Sequence, residues 1–196
     1  MTHYFDEKQK SLLRPKIVSY SRDGVEFSFK TGSGVFAKDK VDRGTDVLLT
    51  HMRLPDSGRV LDLGCGYGVV GIVVAKRGGY SVVCSDVNER AVKLCRLNGK
   101  RNGVELEVVK SDLFSGVEGV FDCVLLNPPY VAGRKLVFQM LVESFEHLHT
   151  GGTLQVVARH QKGGKAIRDR MEEIFGTVED VGRGSGFHLY VSKKKD

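Results

Sequence analysis

Apolar and polar positions alternate early in the chain, at Ile17-Val18-Ser19-Tyr20 and at Val25-Glu26-Phe27-Ser28-Phe29, on either side of Arg22-Asp23-Gly24. A period of two around a glycine turn predicts a β-hairpin. Thr31-Gly32-Ser33-Gly34 breaks it, and Val35-Phe36 precede a charged run. Asp42-Arg43-Gly44-Thr45-Asp46 then leads into Val47-Leu48-Leu49, a short helix with its cap near Thr45. Residues 1–16 before the hairpin are polar and read as a short arm.

From Val60 onward the pattern changes. Apolar runs at Val60–Leu63, Tyr80–Cys84, Val104–Val109, Phe121–Leu126 and Thr153–Ala158 read as strands. Between them lie helical stretches: Val69–Ala75, a helix capped by Asn88 and ended by Asn102-Gly103, one from about Arg134 to His149, and one over Gly164–Phe175. Val69–Ala75 is apolar almost all round, so that helix is buried. Two closing runs, about Thr177–Gly182 and Gly186–Ser192, predict an antiparallel hairpin. Alternating strand and helix demand right-handed crossovers and a parallel sheet. The expected fold is α/β: a doubly wound, mostly parallel seven-stranded sheet with an antiparallel C-terminal hairpin and a short β-rich lead-in. Residues 1–196 are expected to form one domain, with lead-in 1–50 and core 51–196.

Composition narrows this picture only slightly. No apolar stretch is long enough to cross a bilayer, and Met-Thr-His-Tyr-Phe-Asp-Glu-Lys lacks the apolar core of a signal peptide, so a cytoplasmic site is expected. Cys65, Cys84, Cys95 and Cys123 never form Cys-x-x-Cys and read as reduced core residues, with no metal site. His147 and His149 on one helix would face different ways, which argues against a metal there too. The net charge of +6 is compatible with a nucleic-acid partner. Lys30, Lys38, Lys40, Arg43 and Arg53 read as a basic cluster leading toward the site, and Arg159-His160-Gln161-Lys162 as a loop that could rim it.

The candidate chemistry lies at the strand ends, where open α/β sheets bind ligands. Arg59 to Gly68 reads as a strand running into Gly64-Cys65-Gly66-Tyr67-Gly68 and a helix N-terminus. The spacing is Gly-x-Gly-x-Gly; a dinucleotide fingerprint would need glycine where Val69 stands. Asp62, two residues before Gly64, suits the amino group of an amino-acid tail, which points to S-adenosylmethionine rather than NAD. Asp86 follows Asp62 by 24 residues, a distance at which an acid meets ribose hydroxyls. Asp112 stands one strand later, where it can accept from an adenine amino group.

Asn127-Pro128-Pro129-Tyr130 ends the next strand. Two prolines fix the backbone and remove two donors, so this loop presents acceptors. The Asn127 amide oxygen and the Pro128 carbonyl can both accept from a planar NH2, aiming its nitrogen at an electrophile, with Tyr130 as a stacking face. The acceptor could be a base amine in RNA, adenine N6 in DNA or a protein glutamine amide. An NAD-dependent reductase and a non-catalytic RNA-binding protein are weaker alternatives.

These motifs resemble the class I S-adenosylmethionine-dependent methyltransferases, and within them the small-domain group that includes ribosomal RNA guanine-N2 methyltransferases. The resemblance runs from about Tyr20 to Ser192. It includes the lead-in Gly34-Val35-Phe36-Ala37 and Asp42-Arg43-Gly44-Thr45, its most family-specific part. The ribosomal enzymes often carry an extra N-terminal domain, and the chain looks like compact, archaeal-type relatives. The resemblance implies a Rossmann-like core whose glycine region holds the methionine moiety. Asp86 would then bind the ribose, Asp112 would lie by the adenine, and the Asn127 loop would receive the amine. The cofactor set is Thr45, Asp62, Gly64, Cys65, Gly66, Asp86, Val87, Asp112, Leu113 and Asn127; the catalytic set is Asn127, Pro128, Pro129 and Tyr130. The implied partner is RNA, most of all ribosomal RNA, with no membrane and no fixed number of associating chains.

Overall fold

Glycine at the tip of the first hairpin does what its position requires. β1 (Pro15–Arg22) and β2 (Val25–Gly32) pair antiparallel around Asp23 and Gly24, both at positive φ. The computed structural model describes residues 7, 12–129 and 133–195. Tyr130, the predicted stacking face, lies outside the described residues, as does most of the expected N-terminal arm.

The chain continues through α1 (Arg43–His51), β3 (Gly58–Leu63), α2 (Val69–Arg77), β4 (Tyr80–Asp86), α3 (Glu89–Arg101), β5 (Glu107–Lys110), β6 (Phe121–Leu126) and α4 (Arg134–Glu146). It closes with β7 (Leu148–Arg159), a short π-helical turn at His160–Gly164, α5 (Lys165–Phe175), β8 (Glu179–Gly184) and β9 (Phe187–Lys193). β3 to β9 form one seven-stranded sheet in the order β5-β4-β3-β6-β7-β9-β8. β3 to β7 are parallel, and β9 runs antiparallel between β7 and β8. The order reverses between β3 and β6, so their C-terminal ends flank the crevice where ligands bind in such sheets.

Each face of the sheet has its own core. On one, Val60, Val82 and Cys123 pack under α1, α2 and α3 with Phe27 and Phe29 of the hairpin; on the other, Leu61, Leu63, Val124 and Leu126 pack under α4 and α5. Consecutive β3 residues fall on opposite faces, as the pleat requires. The hairpin is tied down by polar contacts. Asn98 of α3 accepts from Lys30 N at 2.7 Å and donates to Lys30 O at 2.9 Å, and Asn102 accepts from Ser28 N at 3.0 Å. No described helix is long and apolar enough to cross a membrane.

Several boundaries differ from the expectation. β5 begins at Glu107 because Val104 N–H instead donates to Gly99 O, closing α3 through Gly103 at φ 64°. α4 ends at Glu146, and β7 begins at Leu148. β7 pairs Leu148 with Phe121 and then shifts register at the glycines before Thr153 pairs with Cys123. Finally, α1 is capped by Asp42, not near Thr45: the carboxylate accepts from the backbone N–H of Gly44 and Thr45.

Candidate active site

At the end of β3 the backbone must turn back on itself and leave room beside it. Gly64, Gly66 and Gly68 have φ of 72°, 55° and 95°, a region that L side chains avoid. The N–H groups of Gly64 and Cys65 donate to Ser85 O at the end of β4, at 2.8 and 2.9 Å. A Cβ on Gly66 would meet nothing within 4 Å, and one on Gly64 only the Met140 methyl at 3.9 Å, so both glycines border open space.

That space is a cleft of about 190 Å³ across the C-terminal ends of β3, β4, β5 and β6. Of the residues singled out from the sequence, it brings together Gly64, Gly66, Asp86, Val87, Asp112, Leu113, Asn127, Pro128 and Pro129. Thr45, Asp62 and Cys65 line a smaller adjoining recess that shares Gly64, Gly66, Asn127 and Phe36 with the cleft. Phe36, Ser85 and Met140, to which the sequence assigns no ligand contact, also form cleft walls.

Asp86 is held by two backbone donors, Gly66 N and Asn88 N, each at 2.8 Å and each to a different oxygen. Burial pushes its pKa up to about 6, and the two N–H bonds act in the opposite direction. Each carboxylate oxygen keeps a further lone pair for a ligand hydroxyl. Asp62 is more deeply placed. Its Oδ2 accepts from Gly71 N of α2 at 2.9 Å, and burial raises its pKa to about 8. A cation seated beside it would draw it back toward ionisation. Ser85 Oγ is buried in the cleft wall with no hydrogen-bond partner among the described residues.

These features fit the ligand that the motifs imply: an acid held for a ribose edge, a glycine turn open to an amino-acid tail, and apolar walls for a base. Behind the turn, the sulfurs of Cys65, Cys84 and Cys95 lie within 4.8 Å of one another, all buried. They fill the core so tightly that a Cβ on Gly68 or Gly71 would come within 2.6 Å of Cys95 Sγ or 2.2 Å of Cys84 Sγ.

The loop from Ser33 to Val41 carries Val35 and Phe36 over the cleft. Asn88 Nδ2 donates to Gly34 O at 2.8 Å, an Arg90 guanidinium N–H to Ser33 O at 2.7 Å, and Tyr67 O–H to Ala37 O at 3.3 Å. The loop then delivers Asp42, which the sequence did not mark as a site residue. Asn127 Nδ2 donates to Asp42 Oδ2 at 3.2 Å and to Thr45 Oγ1 at 3.1 Å, while the Thr45 hydroxyl donates to Asp42 Oδ2. Both partners of the amide nitrogen are acceptors, so the NH2 must face them and Asn127 Oδ1 faces away. Gly44 is required in this corner, because a Cβ there would lie 2.9 Å from both Asp42 Oδ1 and the Phe187 ring. Asp at an N-cap with Thr three residues on was the available sequence signal. Its partner 85 residues later was not legible.

The five predicted basic residues do not form one cluster. Lys38, Lys40 and Arg43 line a groove beside Phe36, joined by Arg159 and Phe187. Lys30 faces a different concavity with Arg90 and Lys93 on the α3 side, and Arg53 is paired with Glu179 at 2.7 Å.

Comparison with known proteins points the same way. The family model described as methyltransferase small domain matches residues 26–191. Over 197 residues the chain is 35% identical to a Bacillus subtilis protein described as uncharacterized protein YbxB, covering 98% of both chains. It is 34% identical over 168 residues to ribosomal RNA small subunit methyltransferase C of Shewanella amazonensis, covering 83% of this chain and 48% of that one. The chain thus spans about half the length of that ribosomal relative. Among solved structures, a Thermus thermophilus 16S rRNA N2 methyltransferase in complex with AdoMet and guanosine superposes with a TM-score of 0.80 at 23% identity. That superposition covers 94% of this chain and 51% of the other, and at this identity it shows the fold.

Proposed function

We propose that this chain, which belongs to the methyltransferase small-domain family of S-adenosylmethionine-dependent enzymes, methylates the exocyclic N2 of a guanine in ribosomal RNA. The observation that carries the reading is the locked amide at the end of β6: Asn127 turns its oxygen away from Asp42 and Thr45 beside the cleft. The relatives support the substrate class, since one is a ribosomal RNA small subunit methyltransferase and another was solved with guanosine. A ribosomal RNA substrate supports a cytoplasmic site.

Bound in the cleft, S-adenosylmethionine supplies an electrophilic methyl carbon on a sulfonium that leaves as a neutral thioether. The chain's own residues do the rest by positioning. Asn127 Oδ1 and the Pro128 carbonyl accept hydrogen bonds from the two amine N–H groups, which draws the nitrogen lone pair out of conjugation and aims it into the cleft. Pro128 and Pro129 remove two competing N–H donors from this corner. Asp86 takes the ribose hydroxyls, and Val87, Leu113 and Met140 exclude water around the base. The acceptor nitrogen sheds its proton to solvent after transfer, so no side-chain base is needed. Orientation of this kind is worth about 7–11 kcal/mol in favourable cases. The target base must be unpaired or flipped to reach Asn127.

The Asp86 contact has a pH signature. Its pKa of about 6 means that the carboxylate takes up a proton as pH falls through that value, losing acceptor capacity toward the ribose. Affinity for S-adenosylhomocysteine is expected to fall by up to about tenfold per unit as pH drops below 6. Calorimetry at pH 5.5 and 7.5 checks this, and equal affinities would remove Asp86 from the ribose site.

The substrate is tested by mass spectrometry of nucleosides in small-subunit RNA from cells lacking the gene. Loss of one N2-methylguanosine is expected. An unchanged nucleoside pattern, or a methyl group missing from adenine N6 instead, would overturn the guanine assignment.

A further inference from the structure

Three concavities meet at one side chain. Phe36, 37% exposed, lines the main cleft, the recess at Asp42 and Asn127, and the groove beyond them. That groove has a volume of about 590 Å³ and is walled by Lys38, Lys40, Arg43, Arg159 and Phe187. The Arg159 guanidinium lies over the Phe187 ring, 5.0 Å from its centroid, so the charge sits against an aromatic wall. Two carboxylates face the same groove, and both are committed: Asp39 to Lys16 at 2.9 Å, and Asp42 to the α1 cap and Asn127. The groove therefore presents positive charge. Arg159 continues it into a second concavity of about 300 Å³ with His160, Lys162 and His188, where the two imidazoles stack at 4.4 Å.

Resting on the RNA reading above, we infer that this groove is the track of the single strand flanking the target nucleotide. The target base meets Asn127 Oδ1 at the edge of the main cleft, on the side away from Asp42 and Thr45, and Phe36 takes the face of its neighbour. Lys38, Lys40 and Arg159 hold the phosphates that follow. Cations spaced along a groove with interleaved aromatic rings are what sequence-tolerant single-strand binding needs, because every phosphate is charged and every base has a face. The lysines on the α3 side lie away from the cleft and take no part.

The test is the salt dependence of binding of a single-stranded fragment of small-subunit RNA to the full chain. The triple variant K38Q/K40Q/R159Q removes three phosphate contacts. The slope of log K against log salt should become shallower by about 2, at roughly 0.7 per phosphate on single strands. Affinity for S-adenosylhomocysteine should stay at the parent value. A control, K93Q/K100Q/K193Q, removes the same charge elsewhere and should leave the slope near that of the parent. F36A should weaken binding without changing the slope. An unchanged slope in the groove triple, with methyl transfer to RNA by the parent intact, would overturn the track and leave the enzyme reading standing. A parent chain that neither binds nor methylates RNA would overturn both. An equal loss of slope in the control would show diffuse attraction and overturn the track.

Discussion

Replacing Asn127 with alanine is expected to lower kcat for methyl transfer by about 10²- to 10³-fold, the usual cost of deleting one preorganised polar group at a reacting centre. The affinity for S-adenosylhomocysteine should stay near that of the parent. Asn127 is half-buried at the end of β6, and its amide nitrogen is already held by Asp42 and Thr45. Alanine therefore deletes one carbonyl-type oxygen from the cleft edge, while the glycine turn and Asp86 are untouched. A transfer assay under saturating donor reads kcat, and calorimetry reads the cofactor. Activity within tenfold of the parent would mean that the amine is held by other groups.

The second large effect is expected at Asp42, through its action on Asn127. Asp42→Asn keeps an oxygen to cap α1, and Asn caps helices about as well as Asp, so stability should change by only a few tenths of a kcal/mol. Its new NH2, however, stands where Asp42 Oδ2 accepted from Asn127 Nδ2. Two donors cannot face each other, so the Asn127 amide turns over and presents its own NH2 to the acceptor amine. We expect kcat to fall by about 10²-fold with the melting temperature and cofactor affinity preserved, an effect of misplacement rather than of lost binding. Asp42→Ala should lose activity as well, and about 1 kcal/mol of stability through the missing cap. Full activity in the Asn variant would show that the amide's orientation is set elsewhere.

The sheet was legible because its signal is local. Short apolar runs separated by helical periods give strands joined by crossovers, and Asn88 and the Asn102-Gly103 pair mark the ends of α3 as helix chemistry predicts. Strand starts were less so. The residues Val104 to Leu106 look as β-prone as those after them, and only the closure of α3 takes them out of the strand. In the site, each strand-end polar residue could be named because its position follows from the end of its own strand. The contact of Asp42 with Asn127 could not, since it joins a loop before the first core strand to the end of β6 and exists only once the sheet has formed. The basic residues failed for the same reason. Proximity in sequence groups Lys30 and Arg53 with Lys38, Lys40 and Arg43, whereas folding takes Lys30 to the α3 side, pairs Arg53 with Glu179 and brings in Arg159 from the far end of β7.

The geometry at Asn127 is tested most directly by a crystal structure of the chain with S-adenosylhomocysteine and guanosine bound together. The guanine N2 is expected within about 3 Å of Asn127 Oδ1, a hydrogen-bond distance, with the thioether sulfur facing that nitrogen across the cleft. Guanosine bound away from Asn127, or an Asn127 amide with its nitrogen toward the base, would contradict it.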